Sequence, residues 1–280
     1  MPRLHHEFLY PEETDKAYTT KSLVDAFQEY TSHAKRIRNR YNSKDNGMNI
    51  LVGFEVEGID LEHIMYAKEL FESGNYDMVV GSVHHVNGVP IDYTTEIWNE
   101  AVAKTHNQTV RQLYSDYFEL QYTMISTLHP LVIGHFDLIS LFMPLDDIDP
   151  TTNKKLADVH IESDWPDVWT KIERNIQAVT EYGGLFELNS AAVRKGWATP
   201  YPREPIARAI VSHGGRFCLS DDCHAIKQVG MNFHVTWKYV RDILKLSSIY
   251  HLQIDSLGKV SVLEDSVSDL DQSEFWKQYQ

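Results

Sequence analysis

Short apolar runs alternate with longer stretches whose apolar residues return every three or four positions. The runs are MNILVGFEV (48–56), DMVVGSV (77–83), LVIGHF (131–136), LFELN (185–189), RFCLS (216–220) and SIYHLQI (248–254). Their length and their β-branched and aromatic content predict strands. Leu23, Val24, Phe27, Tyr30, Ile37 and Tyr41 mark one face of a helix over 21–41, capped by Thr19 or Thr20. Asp60 is placed to cap a second helix over 62–72. Residues 95–127 predict two helices broken near His106-Asn107. A polar loop over 143–163 leads to a helix that Ser163 or Asp164 caps, with Pro166 in its first turn, and that Gly183-Gly184 stops after Tyr182. Further helices are predicted over 204–213 and 236–246, and SKDNG (43–47) reads as a turn. Strand–helix alternation predicts an α/β fold with a parallel sheet. No internal repeat, low-complexity tract or Gly/Ser linker interrupts it. One domain over 1–262 is expected, followed by an acidic, Ser-rich tail over 263–280.

Composition narrows the class. A chain of 280 residues can bury a sizeable single core, and one α/β barrel fits that length. The formal net charge of −14, from 26 basic and 40 acidic residues, argues against a nucleic-acid or anionic-membrane partner. An anionic substrate would then need local cations, such as a metal cluster. Cys218 and Cys223 are too few for a disulfide framework, and they lie five apart around one strand end, so a reducing compartment is the simplest reading. MPRLHHEFLYPEE lacks the apolar core of a signal peptide. The run LVIGHFDLISLFMPL (131–145) is too short to span a bilayer. A soluble cytoplasmic protein is expected.

Carboxylates and imidazoles sit at or just after successive strands: Glu55 in GFEVEG, His84 in GSVHH, His135 in VIGHFD, and Asp222 with His224 in LSDDCH. In a barrel of parallel strands the C-terminal ends converge, so residues distant in sequence can meet around one cavity. Imidazole and carboxylate ligands without thiolates suit zinc, manganese or iron. Asp222 and His224, two apart on an extended chain, would face the same side. Glu57 is the alternation partner of Glu55 and competes with it. His63, His106, His160, His234 and His251 are expected to be ordinary surface or core residues, and Cys223 a structural one.

The series GFEVEG, VVGSVHHVNGVPID, VIGHFDLI, FELNSAAVRKGWATPYP and LSDDCHAIKQVG resembles the polymerase-and-histidinol-phosphatase superfamily. More narrowly, it is similar to the histidinol-phosphate phosphatases of fungi and many bacteria. The resemblance runs from Met1 to about His234, and SVHHVNGVPID and ELNSAAVRKGW are its most specific stretches. It implies a distorted seven-stranded (β/α) barrel. It also implies two or three divalent ions (zinc, manganese or iron) that hydrolyse L-histidinol phosphate in histidine biosynthesis. By motif, Glu55 would bridge two ions, His84 and His135 would complete the ion beside it, Asp222 would ligate another and His224 a third. The implied catalytic pair is Asp222 with His85, the latter lining the pocket or polarising the leaving oxygen. Arg194 and Asn189 would contact substrate, Arg194 through a bidentate fork on phosphate, with Arg203 as a lesser candidate.

The family pattern opens with a His-x-His strand and a Thr-Glu-His strand that have no counterpart in this sequence. Five ligand-bearing or cavity-lining strands are counted against the seven implied. The expectation is therefore a form lacking its first two strands, with reduced metal occupancy and exposed strand edges. The alternatives are a phosphatase of the same superfamily acting on another small phosphomonoester, a truncated non-catalytic metal-binding remnant, and an amidohydrolase-type metallohydrolase. A small phosphate monoester is the expected partner in every phosphatase reading.

Overall fold

The computed structural model describes residues 1–42 and 49–279. Its main elements are α1 (Thr20–Asn42), β1 (Gly53–Glu55), α2 (Leu61–Glu72), β2 (Met78–Gly81), β3 (His85–Val86), β4 (Val89–Pro90), α3 (Thr95–Lys104) and α4 (Val110–Leu128). They continue with β5 (Val132–Ile133), α5 (Pro166–Tyr182), β6 (Leu185–Asn189), α6 (Glu204–Ser212), β7 (Arg216–Ser220), α7 (Phe233–Lys238), β8 (Ser248–Ile254) and β9 (Val260–Ser266). The fold is α/β, as the alternation predicts. Strands β1 and β2 pair in parallel, and so do β5, β6 and β7. The turn predicted at 43–47 lies outside the described residues. No helix among the described residues is long and apolar enough to cross a membrane. The chain divides into two compact units, Met1–Pro130 with Leu138–Asn175, and Leu131–Asp137 with Ile176–Gln280.

In the first unit the helix starts follow their caps. Asp60 accepts the His63 backbone N–H at 2.9 Å, and Thr94 and Thr109 cap α3 and α4 in the same way. The register of β1 on β2 runs from Gly53 opposite Met78 to Glu55 opposite Val80. At Gly81 a Cβ would lie 2.5 Å from Pro130 and 2.6 Å from the Met124 sulfur, so glycine lets α4 and Pro130, two residues past its end, approach β2. The core gathers Trp98, Leu113, Tyr114, Tyr117, Phe118 and Trp165. The Trp98 indole N–H donates to the Ile139 carbonyl at 2.9 Å, which satisfies its one polar atom. The apolar pattern predicts no hairpin after β2, yet β3 and β4 form one. Two-residue strands are too short to display alternation. The signal was instead Asn87-Gly88, which adopt φ of 53° and 74°, the left-handed pair that a tight hairpin turn needs.

In the second unit β6 is central, with Leu185 opposite both Val132 and Arg216, and Asn189 opposite Ser220. All five of its residues are buried, as expected for a parallel strand covered on both faces. Helix α6 turns Ile206, Ala207 and Ile210 inward. The helix predicted over 236–246 starts earlier and changes pitch, with α7 running into a π-helical turn over Tyr239–Leu244. Strand β8 pairs antiparallel with β9, from Ser248 opposite Ser266 to Ile254 opposite Val260. Residues 263–280 thus begin inside β9 and continue through a short helix, Val267–Leu270, into a 3-10 segment, Glu274–Tyr279.

Candidate metal centre

In the first unit Glu55 is the last residue of β1, and His84 follows β2 by three positions. The two meet: His84 Nε2 lies 3.3 Å from Glu55 Oε1. The other ring nitrogen, Nδ1, is 3.3 Å from the Glu57 carbonyl oxygen. An N–H donated there orients the ring and leaves Nε2 facing the Glu55 carboxylate. An imidazole lone pair cannot rest against a carboxylate oxygen without a cation or a proton between them. Burial disfavours a charged imidazolium, but Glu55, through its charge and hydrogen bond, and then Glu57 and Asp92 outweigh it and raise the His84 pKa to about 10. The pair therefore fits a divalent ion in its chemistry, with a proton as the stand-in.

His85 points elsewhere, as its neighbour on a strand must. It is fully buried, with ring contacts to Phe8 at 6.2 Å and Tyr10 at 5.4 Å. Neither of its nitrogens has a hydrogen-bond partner among the described residues. Burial, with His84, Arg3 and His63 adding to it, lowers its pKa to about 2, so the ring is neutral. Glu57 stands on the other side of the His84 ring from Glu55: its carboxylate lies 3.9 Å from Nδ1 and pairs with Arg3 at 3.3 Å. His63 is a core residue held by Asp60 at 2.8 Å.

In the second unit His135 follows β5 by two residues, and its backbone N–H donates to Glu187 Oε2 at 3.0 Å. The same oxygen accepts the Asn189 side-chain amide at 2.9 Å, while Asn189 Oδ1 accepts the Ala191 N–H at 2.9 Å. Both ends of the Asn189 amide are thus engaged within the protein. Asp137 is fully buried and takes the Arg203 backbone N–H and Nε–H on one oxygen, at 3.1 and 3.2 Å. Burial raises its pKa against the pull of Arg203. The guanidinium of Arg203 also lies over the Trp197 ring, 5.6 Å from its centre.

Asp222 and His224 are close, with His224 Nδ1 3.7 Å from Asp222 Oδ1, but not for the reason read from the sequence. The chain is not extended there. Asp222 has φ of 47°, and it is this left-handed turn, rather than strand alternation, that brings the pair together. The turn is tied by Arg194, which donates to the carbonyls of Asp221 at 3.1 Å and Asp222 at 3.0 Å. Cys223, between Asp222 and His224, is a free and exposed thiol. Sequence reasoning passed over Glu187, Asp137 and Asp221. Glu187 was signalled by a charge in the middle of the apolar run LFELN. Asp137 sits two residues after His135, and nothing local distinguished Asp221 from Asp222.

Comparison with known proteins agrees with this chemistry. The PHP domain matches residues 14–191. A Schizosaccharomyces pombe protein named "Probable histidinol-phosphatase" is 40% identical over 268 residues, which cover 96% of this chain and 82% of the relative. The histidinol-phosphatase of Saccharomyces cerevisiae is 35% identical over 269 residues, covering 90% of this chain and 80% of its own. A crystal structure of a candidate histidinol phosphatase from Listeria monocytogenes shares the fold, with a TM-score of 0.63 at 18% identity over 84% of this chain and 85% of that one. The chain belongs to the PHP domain family, in its histidinol-phosphatase group. That group consists of hydrolases of a phosphate monoester.

Proposed function

We propose that this chain is a metal-dependent phosphomonoester hydrolase that converts L-histidinol phosphate and water to L-histidinol and phosphate, in histidine biosynthesis. The observation that carries the reading is the Glu55–His84 pair, 3.3 Å apart, in a chain 40% identical to a named histidinol-phosphatase. Glu55, His84 and His135 would hold one divalent ion, and Asp222 and His224 would contribute to others, with zinc, manganese or iron as the metals their donors suit. Such ions supply Lewis acidity toward phosphoryl oxygens and a low-pKa water at neutral pH.

The protein's own groups prepare that site. The Glu57 carbonyl fixes the His84 ring, and Glu187 anchors the backbone of His135. Arg194 spends one N–H on each of two carbonyls. A guanidinium carries five, so donors remain for phosphate oxygens. Asn189, engaged at both ends, braces the end of β6 and the Glu187 carboxylate. His85 is buried and neutral, so it supplies no imidazolium charge, which favours a packing role behind His84 over acid catalysis at the leaving oxygen. Two free thiols support a cytoplasmic location.

The test is phosphate release from L-histidinol phosphate by the metal-loaded 280-residue chain, with metal content measured in parallel and His84→Ala as the control. Release that falls with His84→Ala supports the reading. A metal-loaded chain that leaves L-histidinol phosphate intact but cleaves another small phosphomonoester would sink it in favour of the same chemistry on a different substrate.

A further inference from the structure

The loop over 221–230, which carries Asp222 and His224, has little apolar anchorage of its own. Ile226 is 95% and Val229 68% exposed, and the His224 side chain is 75% exposed. Hydrogen bonds at its two ends must therefore set its course. At the first end, Arg194 holds the carbonyls of Asp221 and Asp222. The Asp221 carboxylate then closes the loop on itself, accepting the Cys223 N–H at 3.2 Å and the Gly230 N–H at 2.5 Å. At the second end, the Tyr279 hydroxyl donates to the Gly230 carbonyl at 2.5 Å, and Ser190 Oγ donates to the Met231 carbonyl at 2.7 Å.

Tyr279 is itself held by aromatic packing. Its ring lies 5.7 Å from Phe275 and 5.3 Å from His234. Trp276 stacks on Trp237 of α7 at 4.7 Å and 23°, and the Trp237 indole donates to Asp271 at 2.7 Å. The fit at Gly230 is close. Its φ is +70°, and a Cβ there would lie 2.8 Å from the Tyr279 oxygen. Glycine, left-handed turn and tyrosine hydroxyl thus form one joint between the C-terminal segment and the loop.

We propose that residues 275–279 form a positioning strap in which Tyr279, acting through Gly230 and Asp221, sets the conformation of the loop that presents Asp222 and His224. The strap deepens the metal-site reading and rests on the assignment of those two residues as ligands. Partners behind a metal ligand typically govern about 10–100-fold in affinity.

The experiment uses the full chain carrying Tyr279→Phe, which keeps the ring and removes only the hydroxyl, beside Asp222→Asn and Trp276→Ala. Hydrogen–deuterium exchange on metal-free protein reads the loop, and chelator competition with zinc reads each ion. Tyr279→Phe is expected to speed exchange across 221–231 about tenfold and to weaken the ion lost in Asp222→Asn about tenfold, with the remaining ion and Tm unchanged. Trp276→Ala should do the same more strongly. Faster exchange with zinc affinity untouched would overturn the strap's role. So would a uniform loss of all ions accompanied by a fall in Tm, which marks mere structural damage. Asp222→Asn that binds zinc like the wild type would instead overturn the ligand assignment, and the strap's role with it.

Discussion

Replacing Glu187 tests whether a buried carboxylate organises the backbone around His135 and the end of β6. Glu187 is 8% exposed, and its Oε2 accepts both the His135 backbone N–H at 3.0 Å and the Asn189 amide at 2.9 Å. Glu187→Ala strands two buried donors, each costing about 1–3 kcal/mol. Relief of the carboxylate's own desolvation offsets part of this, leaving a net loss of about 2–4 kcal/mol. Glu187→Gln keeps an acceptor oxygen but loses the charge that strengthens both bonds, so about 1–2 kcal/mol is expected. Urea unfolding of metal-free protein, followed by tryptophan fluorescence and circular dichroism, measures the difference. Zinc affinity should fall in the same order, since His135 loses the anchor of its backbone. If Glu187→Ala stays within about 0.5 kcal/mol of wild type, the usual range for an inconsequential surface change, or if Gln costs as much as Ala, the account of this carboxylate is wrong.

Other outcomes follow from single contacts. Gly58 has φ of +56°, and a Cβ there would sit 2.1 Å from the Ser82 carbonyl oxygen. Gly58→Ala should therefore cost about 3 kcal/mol or more, and an unchanged Tm would refute this. Arg194→Lys keeps the charge but not the fork. It is expected to raise KM and the inhibition constant for inorganic phosphate by about tenfold or more, and equal phosphate inhibition in both proteins would remove Arg194 from the phosphate site. Asp149 is buried, which by itself would raise its pKa. Hydrogen bonds from Thr152 and the Trp165 indole reverse this and lower it. A carboxylate with a lowered folded pKa contributes stability above its unfolded value of about 3.9 that is lost as pH falls through the folded value. The stability gap between wild type and Asp149→Asn should accordingly close below about pH 4, and urea midpoints that stay parallel down to pH 2 would contradict it.

Much of this protein was legible in order of residues alone. The runs LFELN and RFCLS became β6 and β7 over the same residues, and β6, buried throughout, shows why a strand covered on both faces needs a continuous apolar stretch. Asp60 capped α2 as read, because a cap is a local hydrogen bond. The motifs GFEVEG and GSVHH named a metal-type pair, and the structure brings Glu55 and His84 together. Less legible were the β3–β4 and β8–β9 hairpins, whose short or half-exposed strands give weak periodicity. Asp222 and His224 were expected to meet through strand alternation and meet through a left-handed turn instead.

The sequence by itself determined the α/β class, the limits of most helices, the family and the residue types that can bind metal, since each depends on local pattern or on motifs read in order. Only the tertiary structure decided what those residues do to one another. It turned His85 into a buried neutral ring, engaged Asn189 at both ends, and tied Gly230 to Tyr279. The physical reason is separation along the chain. The Glu187 bond to His135 spans 52 positions and the Tyr279 bond to Gly230 spans 49, and contacts of that reach leave no periodicity in a sequence.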